Sequence, residues 1–335
     1  MSNYSILVTG DVLSRRNEEQ LESTGFDVER LSCRPTVEDE LIAAINESTG
    51  YILGGSETVT EKVLENANTL RAIVYTSTSY RLYIPAYETA TRHGIAIANC
   101  PGGDAAATAE YALTLILAMM RNIFDVGRTG NLTEFQACSI DALRVGIVGL
   151  GAIGTNLAVL LERLGVGELC YYSRTRREAL ESALRIQYRH KNELLSSCNV
   201  ITVHTPRTAG VILNEQELAC IPKGGLVVNV SYPEAVETRS LIKEIESGRL
   251  RAAFDFPPND DYREACAIPP SRFFWSNDYA GYNTTSAARV IGDMATASMI
   301  NLLTKGTDRH LVNPEYRQFR QHATPEPRTM TNLSI

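Results

Sequence analysis

The segment Gly149-Leu150-Gly151-Ala152-Ile153-Gly154 constrains the fold more than any other part of this chain. It follows an apolar run, Val145-Gly146-Ile147-Val148, and precedes a stretch, Thr155 to Leu164, that reads as a helix. A strand, a tight glycine turn and a helix in that order form a cradle for a dinucleotide pyrophosphate. The first glycine permits the turn, the second lets backbone approach the phosphates, and the third lets the helix pack on the sheet, while the helix N-terminus attracts the anion. Gly149, Gly151, Ala152, Ile153 and Gly154 are therefore candidate cofactor contacts.

The following strand, Glu168 to Tyr172, should end beside the adenosine ribose, where a carboxylate would hold a free 2′-hydroxyl. The sequence there is Ser173-Arg174-Thr175-Arg176-Arg177, with two hydroxyls and three guanidinium groups suited to a 2′-phosphate. The expected cofactor is NADP(H), with Ser173, Arg174, Thr175 and Arg176 as contacts. The alternative is a solvated basic helix start, which would oppose the helix macrodipole.

With 335 residues and 44% apolar content, the chain has material for two domains, each with its own core. The net charge of −7 offers no basic field for nucleic acid. The longest apolar stretch, Ala105 to Phe124, contains Glu110 and Arg121, which suits a buried or interface helix better than a membrane span. Seven cysteines without a CxxC pair, and an N-terminus without a cationic and apolar leader, predict a reduced, cytoplasmic protein. Five histidines without ligand spacing give no metal site to propose.

Residues 1 to about 100 alternate apolar runs (Ile6 to Val8, Tyr51 to Leu53, Ala72 to Val74, Ile95 to Ala98) with helical segments at Val37 to Ile45 and Thr60 to Asn66. This is a βα repeat and predicts a parallel sheet. Asn99-Cys100-Pro101-Gly102-Gly103 breaks the pattern and marks a hinge. A second α/β unit then has strands at Val145 to Val148, Glu168 to Tyr172, Val200 to Val203, Leu226 to Val230, Leu250 to Phe254 and Phe274 to Trp275. A helix over Ser286 to Leu303 should return to the first domain, and the chain beyond Pro314 reads as a loose polar tail. The fold class is thus α/β, with two Rossmann-like or flavodoxin-like parallel-sheet domains, the first discontinuous. The boundaries are 1–100 plus 284–335 for one domain and 101–283 for the dinucleotide domain.

The whole order resembles the D-isomer-specific 2-hydroxyacid dehydrogenase family over nearly all of residues 5 to 305. The resemblance rests on Cys100-Pro101-Gly102-Gly103, Ala109-Glu110, Gly149 to Gly154, Val203-His204-Thr205-Pro206, Leu213-Asn214, Lys223-Gly224-Gly225, Val228-Asn229, Ala253-Phe254-Asp255 and Ala280-Gly281. It implies a homodimeric enzyme with nicotinamide in an interdomain cleft, passing hydride between cofactor and a 2-oxo or 2-hydroxy acid. It makes the first domain the substrate (lid) domain. It also implies cofactor contacts at Thr108, His204, Thr205, Pro206, Val230, Ser231 and Asp255, and a substrate loop at Ser77, Thr78, Ser79 and Tyr80.

The family's catalytic groups are an arginine, a glutamate and a histidine, and the matching positions here read Tyr232, Asp260 and Asp278. The guanidinium that grips a substrate carboxylate is replaced by Tyr232, in Ser231-Tyr232-Pro233. Two aspartates without a nearby cation would repel an anion and welcome a positive group, or share a proton at raised pKa. A proton donor for carbonyl reduction would be Tyr232 or protonated Asp278, whereas an iminium needs none. The leading expectation is an NADP(H)-dependent reductase of a C=N or C=O group in a neutral or cationic substrate. The alternatives are a non-catalytic NADP(H) sensor and a conventional 2-hydroxyacid dehydrogenase whose substrate cation is Arg81, Arg207 or Arg239. Two residues keep a second reading: His204 as an acid rather than cofactor packing, and Asp278 as a loop cap.

Overall fold

The structure, a computed structural model, describes residues 4–31, 37–129, 138–258 and 265–320. The chain divides into two compact units, Met1–Gly103 with Ala288–Ile335 and Asp104–Ala287.

The first unit holds a five-stranded sheet of β1 (Tyr4–Val8), β2 (Phe26–Arg30), β3 (Gly50–Leu53), β4 (Ala72–Tyr75) and β5 (Ala96–Asn99), in the order β2-β1-β3-β4-β5. Every pairing is parallel. The strands β3, β4 and β5 are buried at every residue, as strands covered by helices on both faces must be. The edge strand β2 alternates buried and open positions and escapes a search for continuous apolar runs.

The second unit holds seven parallel strands: β6 (Arg144–Val148), β7 (Glu168–Tyr172), β8 (Gln187–Tyr188), β9 (Val200–Val203), β10 (Gly225–Asn229), β11 (Leu250–Phe254) and β12 (Phe273–Trp275). Their order is β12-β11-β10-β9-β6-β7-β8. Two apolar clusters cover the sheet. One centres on Val203, Val227, Leu241 and Phe254, the other on Leu115, Ile147, Leu157 and Val228.

Each sheet reverses its winding once, between β1 and β3 in the first unit and between β6 and β9 in the second. In open α/β sheets such reversals splay the connecting loops and open a ligand crevice at the strands' carboxyl ends.

The apolar stretch from Ala105 is a helix to Met120, with most of its residues buried, and a second helix runs from Ile123 to Thr129. No helix among the described residues is long and apolar enough to cross a membrane. One expectation is corrected: the chain beyond Pro314 is not wholly loose. A helix at Tyr316–Arg320 docks through Tyr316, which is fully buried and donates its hydroxyl to the Gly306 carbonyl at 2.6 Å. Residues 321–335 lie outside the described residues.

Candidate dinucleotide site and strand-end loops

The loop after β6 sits at the reversal point of the second sheet, and each of its glycines has a separate steric reason. Gly149 has φ of 102°, and a Cβ there would lie 2.4 Å from the His204 carbonyl oxygen. Gly154 faces the Gly149 carbonyl, which a Cβ would meet at 2.2 Å. Gly151 caps the helix Ala152–Arg163, and a Cβ there would meet nothing within 4 Å. The space in front of Gly151 is thus left open by the protein, at a twelve-residue helix's N-terminus where an anion is favoured. The helix begins three residues earlier than its apolar pattern predicts, because Gly151 itself forms the cap.

Across the reversal point, β9 ends in His204-Thr205-Pro206. His204 is buried and shares a 2.8 Å hydrogen bond through Nε2 with the Thr202 hydroxyl. Burial pushes its pKa down to about 3, so the ring stays neutral and is a poor proton donor near neutrality. His204 Nδ1 and Thr205 Oγ1 are buried without a hydrogen-bond partner among the described residues. Two polar atoms left unpaired beside a glycine cradle fit a polar ligand that completes them.

Ser231 ties the adjoining strand ends together. Its hydroxyl donates to the Val203 carbonyl at 2.8 Å and accepts from the Thr205 amide at 3.0 Å. Val230 beside it is buried. At the end of β11, Asp255 is 2% exposed and accepts from the amides of Ala280 and Gly281 at 2.8 and 2.9 Å. Burial raises its pKa to about 6 against those two hydrogen bonds, and the Asp278 charge pushes the same way. Gly281 is glycine because a Cβ would lie 2.6 Å from Asp255 Oδ2 and 3.4 Å from the buried Thr108 backbone.

The segment after β7 forms one wall of an open cavity of about 600 Å³, lined by Gly151, Thr155, Asn156, Arg176, Arg177 and Glu178 among others. The three arginines are not equivalent. Arg176 makes a bidentate pair with Glu181, at 2.8 and 2.7 Å, and lies over the Tyr188 ring. That pairing, together with the Tyr171 hydroxyl, holds the Glu181 carboxyl down at about 2. Arg174 is exposed and makes no hydrogen bond or ion pair among the described residues. The Ser173 hydroxyl donates to the Thr175 carbonyl at 2.5 Å, which curls this segment. Glu178 and Glu181 were missed at the sequence level because they belong to the next helix, Glu178–Leu184, whose first turn folds back onto the site.

Of the three residues in the catalytic positions, the structure describes Tyr232 and Asp278. Tyr232 is 3% exposed, packs within the apolar cluster and donates its hydroxyl to the Gly210 carbonyl at 2.6 Å. Its proton is thus held by a backbone acceptor, and its geometry is that of an anchor for the loop carrying Gly210. Asp278 is exposed and accepts from the Tyr279 amide at 2.7 Å, the loop-cap arrangement. Asp260 lies outside the described residues. Arg207, one of the candidate cations, is paired with Glu234 at 2.8 Å.

In the first unit, the loop Ser77–Tyr80 follows β4. Asn99 donates to the Thr78 carbonyl at 2.9 Å, and the Cys100 amide donates to the Ser77 carbonyl at 3.1 Å, which pins the loop to the end of β5. Arg81 stacks 4.1 Å over the Tyr87 ring, donates to the Tyr80 hydroxyl, and has no carboxylate partner among the described residues.

Comparison with known proteins places this geometry. Residues 113–276 match the family described as D-isomer specific 2-hydroxyacid dehydrogenase, NAD binding domain. A glyoxylate reductase of Thermococcus litoralis is 29% identical over 228 residues, covering 64% of this chain and 68% of that protein. A crystal structure of a Pyrococcus horikoshii OT3 protein superposes with a TM-score of 0.74 at 26% identity, covering 96% of this chain and 99% of the other. The fold also matches that of a cofactor (NAD+) bound 3-phosphoglycerate dehydrogenase from Entamoeba histolytica, with a TM-score of 0.78 at 20% identity over 93% and 99% of the two chains. The glycine cradle at the β6/β9 reversal and the buried Asp255 lie in the matched segment: residues 113–276 belong to the NAD binding domain of the D-isomer specific 2-hydroxyacid dehydrogenase family.

Proposed function

We propose that this chain is an NADP(H)-dependent oxidoreductase that interconverts the carbonyl of a 2-oxo acid and the corresponding alcohol. The observation that carries the dinucleotide part is the open face of Gly151, in the loop whose Gly149 packs on His204 and Thr205, where His204 Nδ1 and Thr205 Oγ1 are buried without a partner among the described residues. The carbonyl part rests on the family and on relatives such as the glyoxylate reductase. A bound nicotinamide supplies or accepts the hydride. The protein's own share is positional: Gly151 and the helix behind it receive the pyrophosphate, and Asp255 fixes the Ala280-Gly281 amides.

NADP(H) is preferred over NAD(H) in this reading because Arg174 is an exposed guanidinium with no partner among the described residues, at the end of the strand that meets the ribose. Glu178 in the cavity wall favours the opposite choice, since a carboxylate there suits a free 2′-hydroxyl. Equilibrium titration of the protein with NADPH and NADH separates the two; equal affinity would remove the phosphate-clamp reading.

The first unit is proposed to supply the substrate contacts, with Arg81 as the cation for the substrate carboxylate, replacing the arginine whose position Tyr232 occupies. A second reading, reduction of a C=N or C=O group in a neutral or cationic substrate, is favoured by Asp278 and by the engagement of Arg207 with Glu234. Initial rates of NADPH oxidation against 2-oxo acids, aldehydes, amino ketones and cyclic imines decide between them. Turnover of acids that Arg81→Ala abolishes supports the first reading, and turnover confined to neutral or cationic members supports the second. NADPH binding with no turnover across the panel would point to a sensor.

A further inference from the structure

The winding of the first sheet reverses between β1 and β3, and the residues that follow those two strands form a niche that the dinucleotide reading does not use. Glu57 is the occupant of interest. It is 6% exposed, and its Oε1 has no hydrogen-bond partner among the described residues. Its other oxygen receives one long hydrogen bond, from the Thr9 hydroxyl at 3.4 Å. Thr9 in turn shares a 3.2 Å hydrogen bond with the Tyr51 hydroxyl and accepts from the Gly54 amide at 3.3 Å.

The sequence builds this niche through three glycines. A Cβ on Gly10 would lie 2.2 Å from the Gly54 carbonyl oxygen, and one on Gly54 would lie 2.4 Å from the Thr9 carbonyl oxygen, so the two loops pack backbone to backbone. A Cβ on Gly55 would lie 2.1 Å from Glu57 Oε1, so the carboxylate occupies the space that a side chain would fill. The guanidinium on the same edge is engaged elsewhere: Arg30 donates to Glu18 and to the carbonyls of Gly10 and Leu13, each at 2.6 Å. A carboxylate taken out of water with one weak hydrogen bond is costly, and a donor-rich cation is the group that offsets the cost. Crevices of this kind form where a parallel sheet reverses its winding, and the next strand, β4, leads through Thr76 into the loop Ser77–Tyr80.

We propose that the β1/β3 reversal of the first unit is a subsite for an ammonium or guanidinium group, received by Glu57 Oε1, so that the substrate carries a cationic end. This rests on the reading of the first unit as the substrate-binding unit.

The test is calorimetric titration of the protein loaded with oxidised NADP+, which cannot pass hydride to the acid, with 5-guanidino-2-oxopentanoate and with 2-oxohexanoate, a 2-oxo acid of similar length that lacks the guanidinium. The unaltered protein should bind the guanidino acid about tenfold or more tightly, on the scale of one buried charged hydrogen bond. Glu57→Gln, which keeps the shape and removes the charge, should erase that preference while leaving NADPH affinity unchanged. Gly55→Ala, which displaces the carboxylate by filling its space, should do the same. Equal affinity for the two acids in the unaltered protein overturns the proposal whether or not either variant folds, and so does a preference that survives both substitutions. Loss of NADPH binding or of all turnover in the unaltered protein would instead count against the oxidoreductase reading, which separates the two failures.

Discussion

Three glycines in one loop make different demands, and substitution should tell them apart. Gly154→Ala places a methyl 2.2 Å from a backbone oxygen that cannot move without the strand, so it should lower the stability of the second unit by roughly 1 to 3 kcal/mol. Gly151→Ala meets only open space and should leave the unfolding midpoint close to that of the parent. Its methyl points where pyrophosphate would lie, so the affinity for NADPH should fall by about tenfold or more in equilibrium titration. A Gly151→Ala protein that binds NADPH normally would place the phosphates elsewhere. Arg174→Ala should weaken NADPH about tenfold and leave NADH unchanged, because only the 2′-phosphate distinguishes the two. Arg176 is the weaker target, since its guanidinium is already engaged by Glu181. Tyr232→Phe removes a hydrogen bond to Gly210 and should cost about 1 kcal/mol in urea unfolding without a tenfold fall in turnover. A tenfold fall would restore Tyr232 as a proton donor.

At the scale of single elements, the strand end carrying Asp255 gives the clearest pH signature. Its carboxyl rises from the usual 3.8 to about 6 because burial outweighs the two amide hydrogen bonds. A carboxyl raised in the folded state favours folding fully below the unfolded value, and that contribution is lost as pH climbs through about 6. The stability difference between pH 4 and pH 7.5, measured by urea unfolding, should therefore be roughly 2 kcal/mol larger in the parent than in Asp255→Asn, because the unfolded carboxyl is already partly ionised at pH 4. Asn can still accept both amides at one oxygen, so the variant isolates charge from geometry. The strands and this loop were legible in the sequence because a parallel sheet buried on both faces writes itself as continuous apolar runs, and a glycine turn writes itself as spacing. The edge strand β2 was not, since Phe26-Asp27-Val28-Glu29-Arg30 buries little of one face. Nor was the task of the Tyr232 hydroxyl, which depends on where Gly210 lies in space. Glu57 went unread for the same reason: its meaning comes from the order of strands, which no local pattern encodes.

For the molecule as a whole, the consequential feature is that the first unit is completed by the chain's return. After the helix Thr285–Lys305, Leu311 bridges antiparallel to Ala98, and the Val312 amide donates to the Ile97 carbonyl at 2.8 Å, so the returning segment covers the open edge of β5. Asn313 fastens it. Its side chain is fully buried, accepts from the Ile97 amide at 2.7 Å, and donates to the Ile95 carbonyl and the Thr91 hydroxyl, both at 2.9 Å. Asn313→Ala would leave the Ile97 amide and the Ile95 carbonyl buried without their partner, while the Thr91 hydroxyl keeps its bond to the Tyr87 carbonyl, a cost of about 2 to 4 kcal/mol. The chain's single tryptophan, Trp275, stands in β12 of the second unit and reports on that unit alone, while circular dichroism sees both sheets. In urea, Asn313→Ala should lower the midpoint of part of the dichroism signal and leave the Trp275 fluorescence transition in place. A joint shift of both signals by the same amount would mean that the two units unfold as one cooperative body, and that the returning segment stabilises the whole chain rather than the sheet it completes.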